Sequence, residues 1–292
     1  MIQQKRFYRL LVMVLFFPLL VTAQVREKQS INSGWQFVLN DHSGLIYLDD
    51  AKWQNINLPH TWNALDIVDD TIGYHQGIGW YKKELFIPEE FKNKHLELYF
   101  EGSCNQTRVL VNRKNGAIHE GGFTGFRVDL DNKIEFGKVN EILVKVDNGK
   151  YLQELIPPYS GDFNLMGGIY RDVWLIVTNK THFSRWNGDE GVFFTINDIN
   201  EKKALYEIRV NWKNKESTLN YTIEYELWLR EKLIKTGSKK LDKGIYSTLT
   251  LQDSTSSPKL WTPENPTLYQ LVVRLKNKEG ENTKMKSELN IT

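Results

Sequence analysis

The stretch Ala204–Asn214, "ALYEIRVNWKN", sets Tyr206, Ile208, Val210 and Trp212 against Glu207, Arg209, Asn211 and Lys213. Strict period two, apolar against polar, describes a strand with one dry face and one wet face, as in antiparallel sheets. The same alternation recurs on both sides of it. Toward the N-terminus, "EILVKVDN" aligns Ile142, Val144 and Val146, and "HLELYFEG" sets Leu96, Leu98 and Phe100 against Glu97, Tyr99 and Glu101. Toward the C-terminus, "NYTIEYELWL" and "LYQLVVRLKN" repeat the pattern, and "NRKNG", "DNK", "DNGK" and "NKEG" supply turns between strands. No long amphipathic helix interrupts the series, so the chain is predicted to be all-β.

One strand series ends and another begins near residues 178–187, "TNKTHFSRWN". This divides the chain into residues 25–180 and 181–292. The second part has the size and even strand spacing of an immunoglobulin-like β-sandwich without the Cys…Trp…Cys core of antibody domains. The first is longer and loopier, as a jelly-roll sandwich would be.

Residues 1–23 read differently. Lys5, Arg6 and Arg9 precede the apolar run "LLVMVLFFPLL", and "VTA" supplies small residues before Gln24, the order of a secretory signal peptide. The run is too short for the roughly 20 apolar residues of a spanning helix, so no stable membrane anchor is expected. The expectation is export, to the periplasm or beyond. Removing the three basic residues of that segment from 38 leaves 35 against 36 acids, a net of −1. Nothing here suits nucleic acid, whose binders concentrate positive charge. Cys104 is the only cysteine, so an internal disulfide is excluded and the cores must hold the fold.

Catalytic patterns are mostly missing. The six histidines are scattered, with no H-E-x-x-H and no cysteine cluster for zinc. There is no G-x-S-x-G elbow and no phosphate-binding loop, and "GIGWYK" lacks the third glycine of a dinucleotide fingerprint. No cofactor, resident metal or catalytic residue is assigned. Nine tryptophans in an all-β chain admit both core packing and stacking against sugar faces.

Four segments in order then carry a resemblance: "INLPHTWN" (Ile56–Asn63), "GIGWYKKELFIP" (Gly77–Pro88), "FEGSCNQTRVLVNRKNGAIHEGGFTGFRVDL" (Phe100–Leu130) and "SGDFNLMGGIYRDVWL" (Ser160–Leu175). Together they resemble the sugar-binding domain of glycoside hydrolase family 2, the family of β-galactosidases, β-glucuronidases and β-mannosidases. "WTPENPTLYQLVV" (Trp261–Val273) is similar to the close of that family's immunoglobulin-like second domain. The resemblance implies that the loop before the "GGIYRDVWL" strand reaches the mouth of a catalytic (β/α)8 barrel. There its acid, Asp162 here, helps to hold a β-linked glycan, in some members with a sodium ion. It also implies a sugar contact just before the G-W-Y segment, where some members place an asparagine and this chain places Gln76. Asp162 reads equally as a turn former among glycines. Arg171, Asp172 and Trp174 read as structural.

The family's two catalytic glutamates lie in the barrel, and no residue here matches either. Three readings stay open: the N-terminal part of an exported, β-galactosidase-like enzyme, a stand-alone carbohydrate-binding module, and an inactive relic of a frameshifted gene. The close "KMKSELNIT" inside a strand-like stretch points to an incomplete second sandwich and favours the first reading.

Overall fold

The computed structural model describes residues 26–40, 42, 44–66, 68–69, 73–149, 166–184, 191–215, 221–241, 246–277 and 282–290. It is all-β: no α-helix occurs among the described residues, and only short 3-10 turns at Leu45–Leu48 and Glu89–Asn93 depart from strand and loop.

Ten strands make the first sandwich: β1 (Arg26–Ser30), β2 (Trp35–Leu39), β3 (Gln54–Ile56), β4 (Ile78–Ile87), β5 (Lys94–Phe100), β6 (Gln106–Val111), β7 (Lys114–Glu120), β8 (Phe126–Asp129), β9 (Lys138–Asp147) and β10 (Val173–Asn179). They form a four-stranded sheet, β1-β10-β5-β8, and a six-stranded sheet, β3-β2-β4-β9-β6-β7. The alternation predicted from sequence sets the faces. Leu96, Leu98 and Phe100 of β5 point inward with Val173, Leu175 and Val177 of β10, and meet Trp35, Phe37, Tyr81, Ile142, Val144 and Val146 of the opposite sheet. Each such side chain contributes about 1.5–3 kcal/mol on burial. The "NRKNG" turn joins β6 to β7 through Asn112 and Arg113, both at positive φ (48° and 61°), the type I′ geometry that matches strand twist.

The outer face of the six-stranded sheet is not left bare. Trp80 of β4, Leu110 of β6 and Leu143 of β9 form a second apolar cluster beneath Leu48, with Leu45 and Trp53 packed against it. The segment between β2 and β3 therefore lies across that sheet as a cover.

The second sandwich comprises β11 (Thr181–Phe183), β12 (Val192–Ile199), β13 (Lys203–Asn214), β14 (Thr222–Leu229), β15 (Lys232–Lys240), β16 (Tyr246–Ser256), β17 (Leu268–Lys276) and β18 (Asn282–Asn290). Strand β13 pairs with β11, β12 and β16, facing a sheet in the order β15-β14-β17-β18. Tyr206, Ile208, Val210 and Trp212 of the opening stretch are all buried in its core. β18 pairs with β17 from Asn290 opposite Leu268 to Asn282 opposite Lys276.

Only Lys180 separates β10 from β11. Across this junction the rings of His95 and His182 stack at 4.5 Å, and Lys215 Nζ donates to Asp129 (2.8 Å) and to Asp131. Burial alone would push the two carboxyls up. Contacts with Lys215 and His95 outweigh it and hold both below the usual range. His95, Asp129 and Asp131 could together ligate a cation, but the Lys215 ammonium already sits among them.

Candidate functional site

The loops at one end of the first sandwich converge on Asn63, which is fully buried. Its amide nitrogen donates to Asp66 Oδ2 (3.0 Å) and to the carbonyl of His75 (2.9 Å). Its amide oxygen accepts from the backbone N–H of Gly167 (2.7 Å) and from Asn148 Nδ2 (3.3 Å). All four hydrogen-bonding positions of one side chain are thus used, and they tie the β3–β4 connection to the β9–β10 connection. Asp66 Oδ2 also accepts from the His75 N–H (2.7 Å), and Asn148 Oδ1 accepts from Gly77 N (2.9 Å) while Asn148 N donates back to Gly77 O (3.1 Å).

Gln76 lies between these two fixed neighbours. Its backbone is pinned on both sides, and its side-chain oxygen is buried and accepts no hydrogen bond among the described residues. Buried acceptors without donors are costly, about 1–3 kcal/mol, and rare in folded proteins. The indole N–H of Trp62 and Oδ1 of Asp66, in the same loops, share that state. Asp162 falls in residues 150–165, outside the described residues, and with it the sodium contact that the resemblance implies.

The glycines that follow that segment have a definite packing reason. A Cβ on Gly167 would run into the Trp62 indole, which stacks on Phe37 with ring centroids 5.9 Å apart. Gly168 has a φ of +128°, and a Cβ there would lie 2.5 Å from the His60 carbonyl. The strap is then fixed by backbone bonds between Gly168 and Cys104 in both directions (3.0 and 3.3 Å) and by His60 N to Ile169 O (2.8 Å). Of the "GGIYRDVWL" stretch, the strand itself begins only at Val173. The residues before it are held by other contacts: the Tyr170 hydroxyl donates to Gly122 O, and Asn32 Nδ2 donates to Asp172 Oδ1 (2.8 Å).

Charge chemistry at this end is muted. Burial lowers the His60 pKa and raises that of Tyr81, whose hydroxyl lies 2.8 Å from His60 Nδ1, so both are neutral near pH 7. Burial also pushes the Cys104 thiol up to about 12, leaving no thiolate. What the described residues of this end offer is a hydrogen-bonding rim in which His60, Tyr81 and Cys104 carry no charge.

A family model described as "Glycosyl hydrolases family 2, sugar binding domain" matches residues 26–179, more than half of the chain. The chain belongs to glycosyl hydrolases family 2. A second model of the family matches residues 190–288. Among curated family 2 relatives, a β-glucuronidase of Bacteroides fragilis is 32% identical over 272 residues, covering 92% of this chain and 38% of that protein. A β-galactosidase of Thermoanaerobacter pseudethanolicus is 28% identical over 263 residues, covering 86% and 33%. Among solved structures, β-glucuronidase 2 of Bacteroides uniformis, covalently bound to cyclophellitol-6-carboxylate aziridine, superposes with a TM-score of 0.81 at 30% identity, covering 91% of this chain and 32% of that one. The chain thus spans about a third of the length of these relatives.

Sequence reasoning pointed to Gln76 and passed over Asn63, Trp62 and Asp66, although "INLPHTWN" was among the segments that carried the resemblance. The spacing Asn63–Asp66 was a visible turn signal. Nothing in the sequence links Asn63 to Asn148 and Gly167.

Proposed function

We propose that this chain is the N-terminal, non-catalytic part of an exported family 2 β-glycosidase, presenting its loop end to a (β/α)8 catalytic barrel. Gln76 carries the reading: an uncommitted amide oxygen on a backbone pinned at both neighbours is a pre-organised acceptor for a sugar hydroxyl. Asp162 is the second contact in this reading, since a carboxylate can accept two hydroxyl hydrogen bonds. Cleavage itself needs two carboxylates about 5–5.5 Å apart in a retaining enzyme, and these belong to the barrel. The chain alone therefore turns over no glycoside. The sugar is a β-linked hexopyranoside. The β-galactoside expected from the sequence has support from the β-galactosidase relative, and a β-glucuronide from the relatives named β-glucuronidases. Export rests on the basic, apolar and small-residue order of residues 1–23 and predicts a mature N-terminus at Gln24.

The test joins the chain to the barrel of a family 2 β-glucuronidase and assays aryl β-glucuronide and aryl β-galactoside. Gln76→Ala and Asp162→Asn should each lower kcat/KM about ten- to a hundredfold, the loss of roughly 1.5–3 kcal/mol for a hydrogen bond with a charged partner at the upper end. Folding stability should change by no more than about 0.5 kcal/mol. Unchanged kcat/KM in both variants would sink the reading.

A further inference from the structure

On the outer face of the six-stranded sheet two hollows of about 370 and 240 Å3 adjoin at Lys82. The strand register explains the lining. Asn55 of β3 pairs with Gln36 of β2, and Gln36 pairs with Lys82 of β4, so the three side chains form one cross-strand row on the outer face. Asn57 and Glu84 complete the larger hollow, and Trp53 stands over the smaller one.

These groups are sparingly used by the protein itself. Gln36 Nε2 and Asn55 Oδ1 are 3.4 Å apart, a long hydrogen bond. Among the described residues Asn57 spends only its oxygen, accepting from Gly34 N at 2.9 Å. Among the described residues neither Lys82 nor Glu84 has an ion-pair partner, and the Lys82 ammonium rests 4.6 Å from the centre of the Trp53 ring. By contrast Arg113, beside the smaller hollow, is engaged with Glu141 (3.4 Å) and Asp49 (3.7 Å).

We infer that this groove is a second carbohydrate subsite, taking two adjoining pyranose rings of a neutral oligosaccharide. The chemistry selects the ligand. Three amides and a carboxylate offer mixed donors and acceptors for vicinal hydroxyls, and Trp53, with the Lys82 ammonium over its ring, adds an apolar wall to the adjoining hollow. A phosphate or polyanion is disfavoured because Glu84 balances Lys82 within the same hollow. The subsite is separate from the loop end: Lys82 lies six residues beyond Gln76, about 20 Å along an extended chain at about 3.3 Å per residue. It therefore goes beyond the proposed role of Gln76 and does not depend on it.

Isothermal titration of the purified chain with cellotetraose, xylotetraose, galactotetraose and tetragalacturonate tests the inference. At least one neutral tetraose should bind with a Kd of about 0.1–1 mM, the range of a shallow site. Gln36→Ala combined with Asn55→Ala, at a half-buried and an exposed strand position of the outer face, should weaken it at least tenfold without lowering Tm. Trp53→Ala should do the same, and the amide variant keeps the test decisive if loss of the indole unsettles the apolar cover. Gln76→Ala should leave this affinity unchanged while lowering activity in the barrel-joined enzyme. No binding of any neutral tetraose at about 10 mM, binding only of tetragalacturonate, binding indifferent to the amide variant, or binding lost with Gln76→Ala would each overturn it.

Discussion

The two sandwiches face the same packing problem with different amounts of buried polarity. In the second, Tyr206, Ile208, Val210, Trp212, Ile223, Tyr225, Leu227, Leu271 and Val273 fill an apolar interior, and among the described residues three of its five buried polar ones, Thr181, His182 and Asn214, lie at the junction. In the first, Asn63, Ser103, Asn105, Thr107, Asp147 and Asn148 are all buried toward one end. Alternating strands alone suffice to close a sandwich, as the second shows. The polar end of the first is therefore extra structure, and it coincides with the loops that hold Gln76. Burying so many polar groups is tolerable only because most are paired.

The largest test of this contrast is whether the cores are separate. Leu98→Ala and Ile208→Ala remove fully buried side chains from different clusters and should each cost about 2–5 kcal/mol. In a calorimetric scan with two transitions, each variant should shift its own transition and leave the other nearly in place. A single transition that moves equally with both would mean that the junction welds the sandwiches into one cooperative unit.

Next in size is the polar hub. Asn63→Ala strands the Gly167 N–H, the Asn148 amide and the His75 carbonyl at once. At about 1–3 kcal/mol for each buried group left unpaired, a loss of about 3 kcal/mol in the first transition is expected in chemical denaturation. A loss under about 1 kcal/mol would mean that water replaces the hub and that the loops are not held by it.

The smallest effect is on pH. Burial, then the charge of His95, holds the His182 pKa down at about 3, against 6.5 in the unfolded chain. Between those values the unfolded state binds a proton that the folded state does not, so stability is complete above about pH 6.5 and falls as pH drops toward 3. Asp129 and Asp131, held below 3.8, add stability that is present above that value and is lost as pH falls through their folded pKa. Between pH 7.5 and 5.5 the His182 contribution should be about 1 kcal/mol. His182→Gln should flatten the fall in melting temperature over that range. An equal fall in the variant would move the pH sensitivity to His60 and His119, which burial also lowers.

Much of this architecture was legible beforehand because strand burial is a local, period-two property. The inward row of β13 could be read off "ALYEIRVNWKN" without knowing what it faced. For the candidate site the resemblance alone pointed to residues, and of the two it named Gln76 lies among the described residues and Asp162 outside them. Hydrogen bonds from Asn63 span 85 residues to Asn148 and 104 to Gly167, distances over which a single sequence carries no pairing signal. The Gly167–Gly168 pair was readable as a loop, but its cause, the indole of Trp62, lies about a hundred positions earlier.

The bond between Cys104 and the strap has a consequence in time rather than in space. The single thiol is buried, protonated to about pH 12, and tied to Gly168 by paired backbone bonds. A thiol reagent added to the native protein can react only in the moments when that strap lifts and water reaches the sulfur. The chain therefore carries its own clock for the loop end: the labelling rate of one cysteine counts openings there, with the rest of the molecule silent.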